Sequence, residues 1–188
     1  MALDPRALGI LDTHRALLQR YRKAMDLIGP GPMEPHFVDA LGATQELAAK
    51  GRWADLGSGA GFPGIALAAR YPLAHVELVE SRDKRARFLS RVVKQGGIDN
   101  ATVCRVRTET LEAGTYDGLI SRAYKPPPRV LTEDAARLLK PGGRVVLLLG
   151  DAATVEPVPG FSNPVRVRYP VPDGHRVQLI LTWTGRSG

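Results

Sequence analysis

A run of glycines beside one carboxylate is the part of this chain best suited to chemistry. It reads Asp55-Leu56-Gly57-Ser58-Gly59-Ala60-Gly61-Phe62-Pro63-Gly64. Glycine tolerates positive φ and lets a ligand approach the backbone closely, where a Cβ would collide with it. An apolar segment precedes the run and a helical apolar pattern follows it, so we predict a strand, a turn and a helix. This layout is typical of sites for nucleotide-type ligands.

The carboxylate of Asp55 helps to choose the ligand of this turn. The spacing of Gly59, Gly61 and Gly64 also matches a dinucleotide fingerprint. A carboxylate is a poor neighbour for a pyrophosphate and a good one for a cation. We therefore favour S-adenosylmethionine, which carries an ammonium and a sulfonium. A nicotinamide-binding oxidoreductase and a turn without any ligand are the less favoured alternatives.

A second acid, Glu80, follows at the end of the next predicted strand. It lies 23 positions after Gly57, close to the roughly 20-residue spacing at which an acid receives a ribose. A carboxylate can accept the protons of both ribose hydroxyls, which fixes the sugar. We predict this role for Glu80, and the alternative is a solvated acid at a strand end.

Several segments together resemble the bacterial small-subunit rRNA guanine-N7 methyltransferases, also called the glucose-inhibited division protein B family. The glycine run, continued through Ile65, is similar to the family signature, and the resemblance extends over roughly residues 15–183. The other matching segments are His36-Phe37-Val38-Asp39, Ser81-Arg82-Asp83-Lys84-Arg85, Arg107-Thr108-Glu109, Ile120-Ser121-Arg122-Ala123 and Pro172-Asp173-Gly174 followed by Arg176.

The resemblance implies a set of contacts to S-adenosylmethionine. The residues expected there are Asp55, Gly57, Gly59, Phe62, Glu80, Thr108, Glu109 and Arg122. Thr108 and Glu109 would border the adenine, and Arg122 would reach the pocket unless it pairs with Asp55 or Glu109. No catalytic residue is assigned, because guanine N7 carries no proton and its methylation needs no general base. The four histidines lack metal-ligand spacing, so no metal is expected.

Cations and one aromatic residue are candidates for substrate contact. They are Lys84, Arg87, Arg91, Tyr124 and Lys125. The first three fall within one arc of a predicted helix, where they could contact RNA phosphates or form an ordinary solvated face. Tyr124 could stack on an exposed base or pack in the core.

Composition narrows the functional classes. The chain has 188 residues, a formal net charge of +7 and a single cysteine, Cys104. The charge fits a polyanionic partner, for which the resemblance implies 16S rRNA or the 30S subunit. No apolar run approaches the roughly 18 residues that span a bilayer, and no signal peptide is evident. We expect a cytoplasmic enzyme that contacts no membrane and needs no obligate protein partner. A small molecule or a protein as methyl acceptor stays an alternative, because residues 21–28 depart from the family pattern.

Alternating apolar segments predict the elements that position these groups. We expect a single-domain α/β fold, a Rossmann-like class I S-adenosylmethionine-dependent methyltransferase with a mostly parallel twisted sheet. A helical cap would occupy residues 1–50 without folding on its own, and the methyltransferase domain residues 51–188. Strands are predicted near 52–56, 75–80, 101–106, 117–121 and 144–149, with an antiparallel edge hairpin near 164–169 and 176–183. Helices are predicted to begin at Asp4-Pro5 and to lie near 34–50, 63–70, 82–95 and 129–139.

Overall fold

The computed structural model describes residues 3–185. Its helices are α1 (Pro5–Tyr21), α2 (Glu34–Ala43), α3 (Gly64–Arg70), α4 (Asp83–Gln95), α5 (Pro127–Arg129) and α6 (Ala136–Leu138). Its strands are β1 (Gly51–Leu56), β2 (Ala74–Val79), β3 (Ala101–Cys104), β4 (Tyr116–Arg122), β5 (Leu139–Gly150), β6 (Val165–Val171) and β7 (Gly174–Thr182). A 3-10 turn covers Thr108–Thr110, and a π-helical turn, Val130–Ala135, joins α5 to α6.

One seven-stranded sheet organises the molecule, in the order β3-β2-β1-β4-β5-β7-β6. Strands β1 to β5 pair in parallel, whereas β7 runs antiparallel between β5 and β6. Short strands alternating with helices give such a sheet because each crossover places a helix on one of its faces. The predicted Rossmann-like methyltransferase fold with an antiparallel edge hairpin is confirmed.

Apolar side chains form a core on each face of the sheet. Within β1, Trp53 joins the cluster that packs against α1 to α4, while Ala54 and Leu56 join the cluster beneath α5 and α6. Successive strand residues point to opposite faces, so a strand covered on both sides must be apolar throughout. Asp55 breaks this rule, because it is completely buried in the same strand.

Helices α1 and α2 form the N-terminal cap. Asp4 Oδ1 accepts a hydrogen bond of 2.7 Å from the Ala7 amide, and Pro5 begins α1, as predicted. Helix α1 packs against α3 and α4, and α2 packs against α3 and β6. The side chain of Leu8 on α1 is exposed, although Ala7, Ile10 and Leu11 next to it are buried. That the cap does not fold alone stays a prediction. Residues 1–2 of the predicted cap and residues 186–188 of the predicted methyltransferase domain lie outside the described residues.

Helix α2 is shorter than predicted. It ends at Ala43, not near residue 50, and at this end the Thr44 hydroxyl donates to the Ala40 carbonyl oxygen at 2.9 Å. Ala48 then adopts a φ of 45°, which a right-handed helix does not allow. The Leu47 amide donates to the Tyr71 hydroxyl at 3.0 Å instead of continuing the helix.

Other boundaries shift by a few residues. Strand β3 ends at Cys104, because the Val106 amide turns back to the Cys104 carbonyl oxygen at 2.9 Å. Strand β5 begins at Leu139, five residues before its predicted start, because Tyr116 already pairs with Leu139 across an irregularity in the ladder. Among residues 3–185, no helix has the length and apolar character needed to cross a bilayer.

Candidate active site

The strand order reverses between β1 and β4, and the candidate site lies at the carboxyl ends of these strands. Strand β1 pairs with β2 on one side and with β4 on the other. Such a switch point leaves a crevice that α/β proteins use for ligands. Two adjoining clefts open here, one on each side of the end of β4.

The glycine loop is folded by hydrogen bonds to its own backbone and to β2. The amides of Gly57 and Ser58 both donate to the Val79 carbonyl oxygen at 3.0 Å, and the Gly61 amide donates to the Ser58 carbonyl oxygen at 2.7 Å. Gly57 and Gly61 adopt φ values of 72° and 93°, which strongly favour glycine. The predicted strand, turn and helix are therefore present, with Pro63 just before the first residue of α3.

Asp55 supports this loop from behind. Its side chain is fully buried, and its Oδ2 accepts the Gly64 amide at 3.0 Å, at the N-terminus of α3. Burial raises the pKa of this carboxyl to about 7, against the opposing effect of the hydrogen bonds it accepts. Its other oxygen, Oδ1, has no hydrogen-bond partner among the described residues. The carboxyl therefore contacts the loop backbone and does not line either cleft.

The smaller cleft has a volume of about 470 Å³ and lies above β2 and the loop. Glu80 is buried in its wall, where Oε2 accepts the Gly59 amide at 3.1 Å and Oε1 accepts the Arg82 amide at 2.8 Å. The predicted acid is thus at the end of β2, next to the glycine loop. Gly57 also lines the cleft, whereas Gly59 contacts the cleft wall only by donating its backbone N–H to the Glu80 carboxylate.

Thr108, Glu109 and Tyr124 close the far side of this smaller cleft. Thr108 is buried, and its Oγ1 lies 2.8 Å from the Tyr124 hydroxyl. A Cβ on Gly57 would lie 2.5 Å from the ring of Tyr124, so this ring packs directly on the loop. Tyr124 is half-buried and lines the smaller cleft but not the larger one, and its stacking on a base stays a prediction. Glu109 is exposed at the rim.

Lys125 is held by carboxylates. Its Nζ lies 3.0 Å from Asp134 Oδ2, 3.3 Å from Glu133 and 3.8 Å from Glu109. Burial alone would lower the pKa of this ammonium, but the hydrogen bonds and charge attraction from Asp134 and Tyr124 together outweigh burial and raise it. Lys125 therefore sits between the clefts as a paired cation and not as a free one.

The larger cleft has a volume of about 750 Å³ and shares Ala123 and Lys125 with the smaller one. Its walls come from α2, the ends of β4 and β5, and the β6–β7 hairpin. The charged and polar side chains in its lining are His36, Asp39, Arg122, Lys125, Asp173, His175 and Arg176. Volumes in this range are typical of ligand sites in proteins.

Arg122 connects the cap to this larger cleft. Its Nη1 donates to Asp39 Oδ2 at 3.0 Å, and the Tyr169 hydroxyl donates to Asp39 Oδ1 at 2.7 Å. Arg122 therefore forms an ion pair, as the alternative predicted, but its partner is Asp39 and not Asp55 or Glu109. The guanidinium also lies 5.1 Å from the centre of the Phe62 ring. Asp39, which sequence reasoning left without a role, thus fixes the side chain of Arg122.

Phe62, predicted to contact the cofactor, lines neither of the two clefts. It is buried, and His36 stacks on it with ring centres 5.6 Å apart. Burial and the nearby Arg122 guanidinium lower the pKa of His36. On its other side, Phe62 contacts the ring of His14 at 4.8 Å.

His14 is a contact that sequence reasoning missed. It lies on α1, is completely buried, and its Nε2 is 2.7 Å from the Ala60 carbonyl oxygen of the glycine loop. Burial lowers the pKa of His14 to about 4, so the ring is neutral and Nε2 carries the donated proton. The only available signal was its place on the apolar side of α1 beside Ile10 and Leu18.

The cations of α4 lie on its exposed side. Arg87 pairs with Asp83 at 2.8 Å, and the Arg91 Nη1 donates to the Tyr21 hydroxyl at 3.2 Å. Lys84 is exposed and forms no ion pair with any residue in the range 3–185. The predicted stripe is therefore present, although two of its three members already have a protein partner.

Solved structures with this fold include a complex with S-adenosylmethionine. A mutant of MtNAS in complex with S-adenosylmethionine superimposes with a TM-score of 0.66 at 17% identity, covering 93% of this chain and 72% of that one. An S-adenosylmethionine-dependent methyltransferase from Aquifex aeolicus gives a TM-score of 0.62 at 16% identity, covering 81% and 94%. At these identities the likeness shows the fold alone, which is one found in S-adenosylmethionine-dependent methyltransferases.

Sequence relatives give the family. Residues 10–158 match the family described as GidB, rRNA small subunit methyltransferase G, and this chain belongs to it. The ribosomal RNA small subunit methyltransferase G of Stenotrophomonas maltophilia (strain K279a) is 40% identical over 155 residues, covering 80% of this chain and 72% of that protein. The protein of the same name from Xylella fastidiosa (strain 9a5c) is 46% identical over 116 residues, covering 61% and 54%. The predicted family is confirmed, and the oxidoreductase alternative is wrong.

Proposed function

We propose that this protein transfers a methyl group from S-adenosylmethionine to N7 of a guanosine in 16S rRNA. The observation that carries the proposal is the meeting of the two clefts at the end of β4, where they share Ala123 and Lys125. A cofactor in the smaller cleft and a base in the larger one would meet at this shared wall. Methyl transfer requires such an arrangement, because donor and acceptor must approach in line.

The smaller cleft fits the cofactor. A buried carboxylate, Glu80, stands at the distance along the chain where ribose hydroxyls are bound in this type of fold. Gly57 leaves the loop without a side chain at the cleft wall, and Thr108 and Glu109 lie opposite for the adenine. When bound, S-adenosylmethionine supplies a methyl group that its positively charged sulfur already activates. Asp55 would act indirectly, by holding the loop through the Gly64 amide.

Methylation of guanine N7 does not require the protein to act as a general acid or base. Guanine N7 has a free lone pair and no proton at neutral pH, so the protein's task is to position the base and exclude other orientations. Arg122 has donors left after its bond to Asp39, and guanine O6 is an acceptor next to N7. We assign Arg122 to O6, because a hydrogen bond to N7 itself would block the attack.

The α4 stripe would contact the RNA backbone. Lys84 has neither an ion pair nor a hydrogen bond from its side chain in the described part of the chain, so it can neutralise a phosphate without giving up a contact within the protein. Arg87 and Arg91 would have to exchange their present partners. The excess of seven positive charges over the whole chain favours approach to the ribosomal RNA.

Transfer of tritium from labelled S-adenosylmethionine tests the proposal. The substrates are 30S subunits and free 16S rRNA from a bacterial strain that lacks its own enzyme of this family. We expect labelled RNA and a single 7-methylguanosine that mass spectrometry locates in a nuclease digest. A known enzyme of the family serves as the positive control.

Two negative results would have different meanings. If the RNA stays unlabelled while calorimetry shows that S-adenosylhomocysteine binds, the acceptor is another molecule and the rRNA part of the proposal fails. If S-adenosylhomocysteine does not bind either, the assignment of the smaller cleft fails as well.

A further inference from the structure

The larger cleft contains a carboxylate whose partner is missing among the described residues. Two carboxylates, Asp39 and Asp173, line this cleft. Both oxygens of Asp39 are occupied, by Arg122 and by the Tyr169 hydroxyl. Asp173 forms no hydrogen bond or ion pair with any residue from 3 to 185 and is exposed at the rim.

The position of Asp173 is fixed by the backbone around it. Pro172 and Asp173 form the two-residue turn of the β6–β7 hairpin, because Val171 pairs directly with Gly174. Gly174 adopts a φ of 126°, which suits glycine and lets the chain reverse within these residues. A short paired turn of this kind holds its side chains at the cleft edge more firmly than a long loop would.

The chemistry of a free carboxylate limits what it can recognise. An ionised carboxylate only accepts hydrogen bonds, so its partner must present donors. The Watson–Crick edge of guanine presents two adjacent donors, N1–H and the 2-amino group, whereas adenine presents an acceptor at N1. Enzymes that act on single-stranded or extruded bases read this edge directly.

We infer that Asp173 reads the Watson–Crick edge of the target guanine and so determines base specificity. The inference rests on the function proposed above. Arg122 and Asp173 both line the cleft, and their chemistry matches the two parts of the same edge, O6 with a donor and N1–H with an acceptor. An adenine in this cleft would place its N1 lone pair against the carboxylate and its 6-amino group against the guanidinium, and both contacts are unfavourable.

Inosine provides the test, because it differs from guanosine only by the missing 2-amino group. The substrates are 30S subunits rebuilt with 16S rRNA that carries guanosine or inosine at the methylated position. For the unaltered enzyme, we expect inosine to lower kcat/KM by about tenfold. Asp173→Ala should lower kcat/KM for guanosine by about tenfold and should reduce the guanosine preference to less than about twofold.

Controls separate this inference from a folding defect and from failure of the proposed function. Asp99→Asn changes an exposed carboxylate in the turn between α4 and β3, at the opposite edge of the sheet, and should keep the full preference. Calorimetry with S-adenosylhomocysteine should give the same Kd for Asp173→Ala and the unaltered enzyme. An unchanged preference for guanosine in Asp173→Ala would overturn the inference while leaving the proposed function intact. No methylation by the unaltered enzyme would overturn the proposed function itself.

Discussion

The two clefts at the end of β4 differ in how the chain builds them. The smaller one is made of segments that each follow a parallel strand. Hydrogen bonds from the loop amides join them, from Gly57 to the Val79 carbonyl oxygen and from Gly59 to the Glu80 carboxylate. The larger one brings together residues 35–39, 122–127, 148–150 and 171–176, which are remote in sequence. Side-chain contacts such as Arg122 with Asp39 hold it together.

This difference predicts separate consequences of mutation. A cleft fixed by backbone geometry depends on a few residues that keep the loop in place, and changes there should affect cofactor binding. A cleft fixed by side-chain pairs can lose substrate recognition while the cofactor still binds. The following changes test that division, in order of the size of their effect.

The contact of His14 with the glycine loop should make stability depend on pH. Between pH 6.5 and 4 the unfolded chain protonates this imidazole, whereas the folded chain keeps it neutral because its pKa is about 4. The free energy of unfolding should therefore fall by about 3 kcal/mol as the pH drops through this window. In His14→Gln this contribution should be absent, as measured by urea unfolding at several pH values.

Asp55 gives the opposite pH dependence and serves as a comparison. Its pKa of about 7 means that the folded chain keeps a proton that the unfolded chain releases above pH 3.8, so its contribution to stability falls as the pH rises. Relative to the unaltered protein, the free energy of unfolding of Asp55→Asn should rise toward pH 7. That of His14→Gln should rise toward pH 4. Identical pH profiles for His14→Gln and the unaltered protein would show that the imidazole is not held neutral.

Glu80→Gln should weaken cofactor binding strongly. The amide keeps one acceptor oxygen but loses the charge that now receives two backbone hydrogen bonds and would receive the ribose hydroxyls. We expect the Kd for S-adenosylhomocysteine to rise by about 100-fold, measured by calorimetry. Glu156→Gln, in the exposed loop after β5, is the matched control. Equal affinities of the two variants for S-adenosylhomocysteine would show that Glu80 does not bind the cofactor.

Asp39→Asn should damage the larger cleft alone. Without its charged partner, Arg122 loses its fixed orientation, and we expect kcat/KM for 30S subunits to fall by about tenfold. The Kd for S-adenosylhomocysteine should stay within about threefold of the original, since Asp39 makes no contact in the smaller cleft. Tyr169→Phe, which removes the other bond to Asp39, should act in the same direction and more weakly. A parallel loss of cofactor affinity would contradict the independence of the two clefts.

Lys84→Ala should have the smallest effect. Removing one phosphate contact should weaken binding of 16S rRNA by about two- to threefold and reduce the salt dependence of log K by about one unit of slope. Filter binding at several salt concentrations measures both. Lys50→Ala, on the exposed surface at the start of β1, is the control and should leave the slope unchanged. Equal slopes for both variants would show that the α4 cations form an ordinary solvated face and do not contact RNA phosphates.

The sequence by itself determined the class of fold and most of the smaller cleft. The mostly parallel sheet, the glycine turn and the acid at the end of β2 follow from local rules, because parallel strands end at one edge and a positive φ favours glycine. These rules predicted Gly57 and Glu80 at this edge and the family resemblance implied Thr108, and all three line the smaller cleft.

Only the tertiary structure decided the partners of the side chains. Asp55 looked like a group for a cation but supports α3, and Arg122 pairs with Asp39, 83 positions away in the chain. Phe62 packs between the rings of His14 and His36, and His14 contacts the loop from α1. Local patterns fix where the backbone goes, whereas such contacts depend on how distant elements pack, which no spacing within the chain encodes.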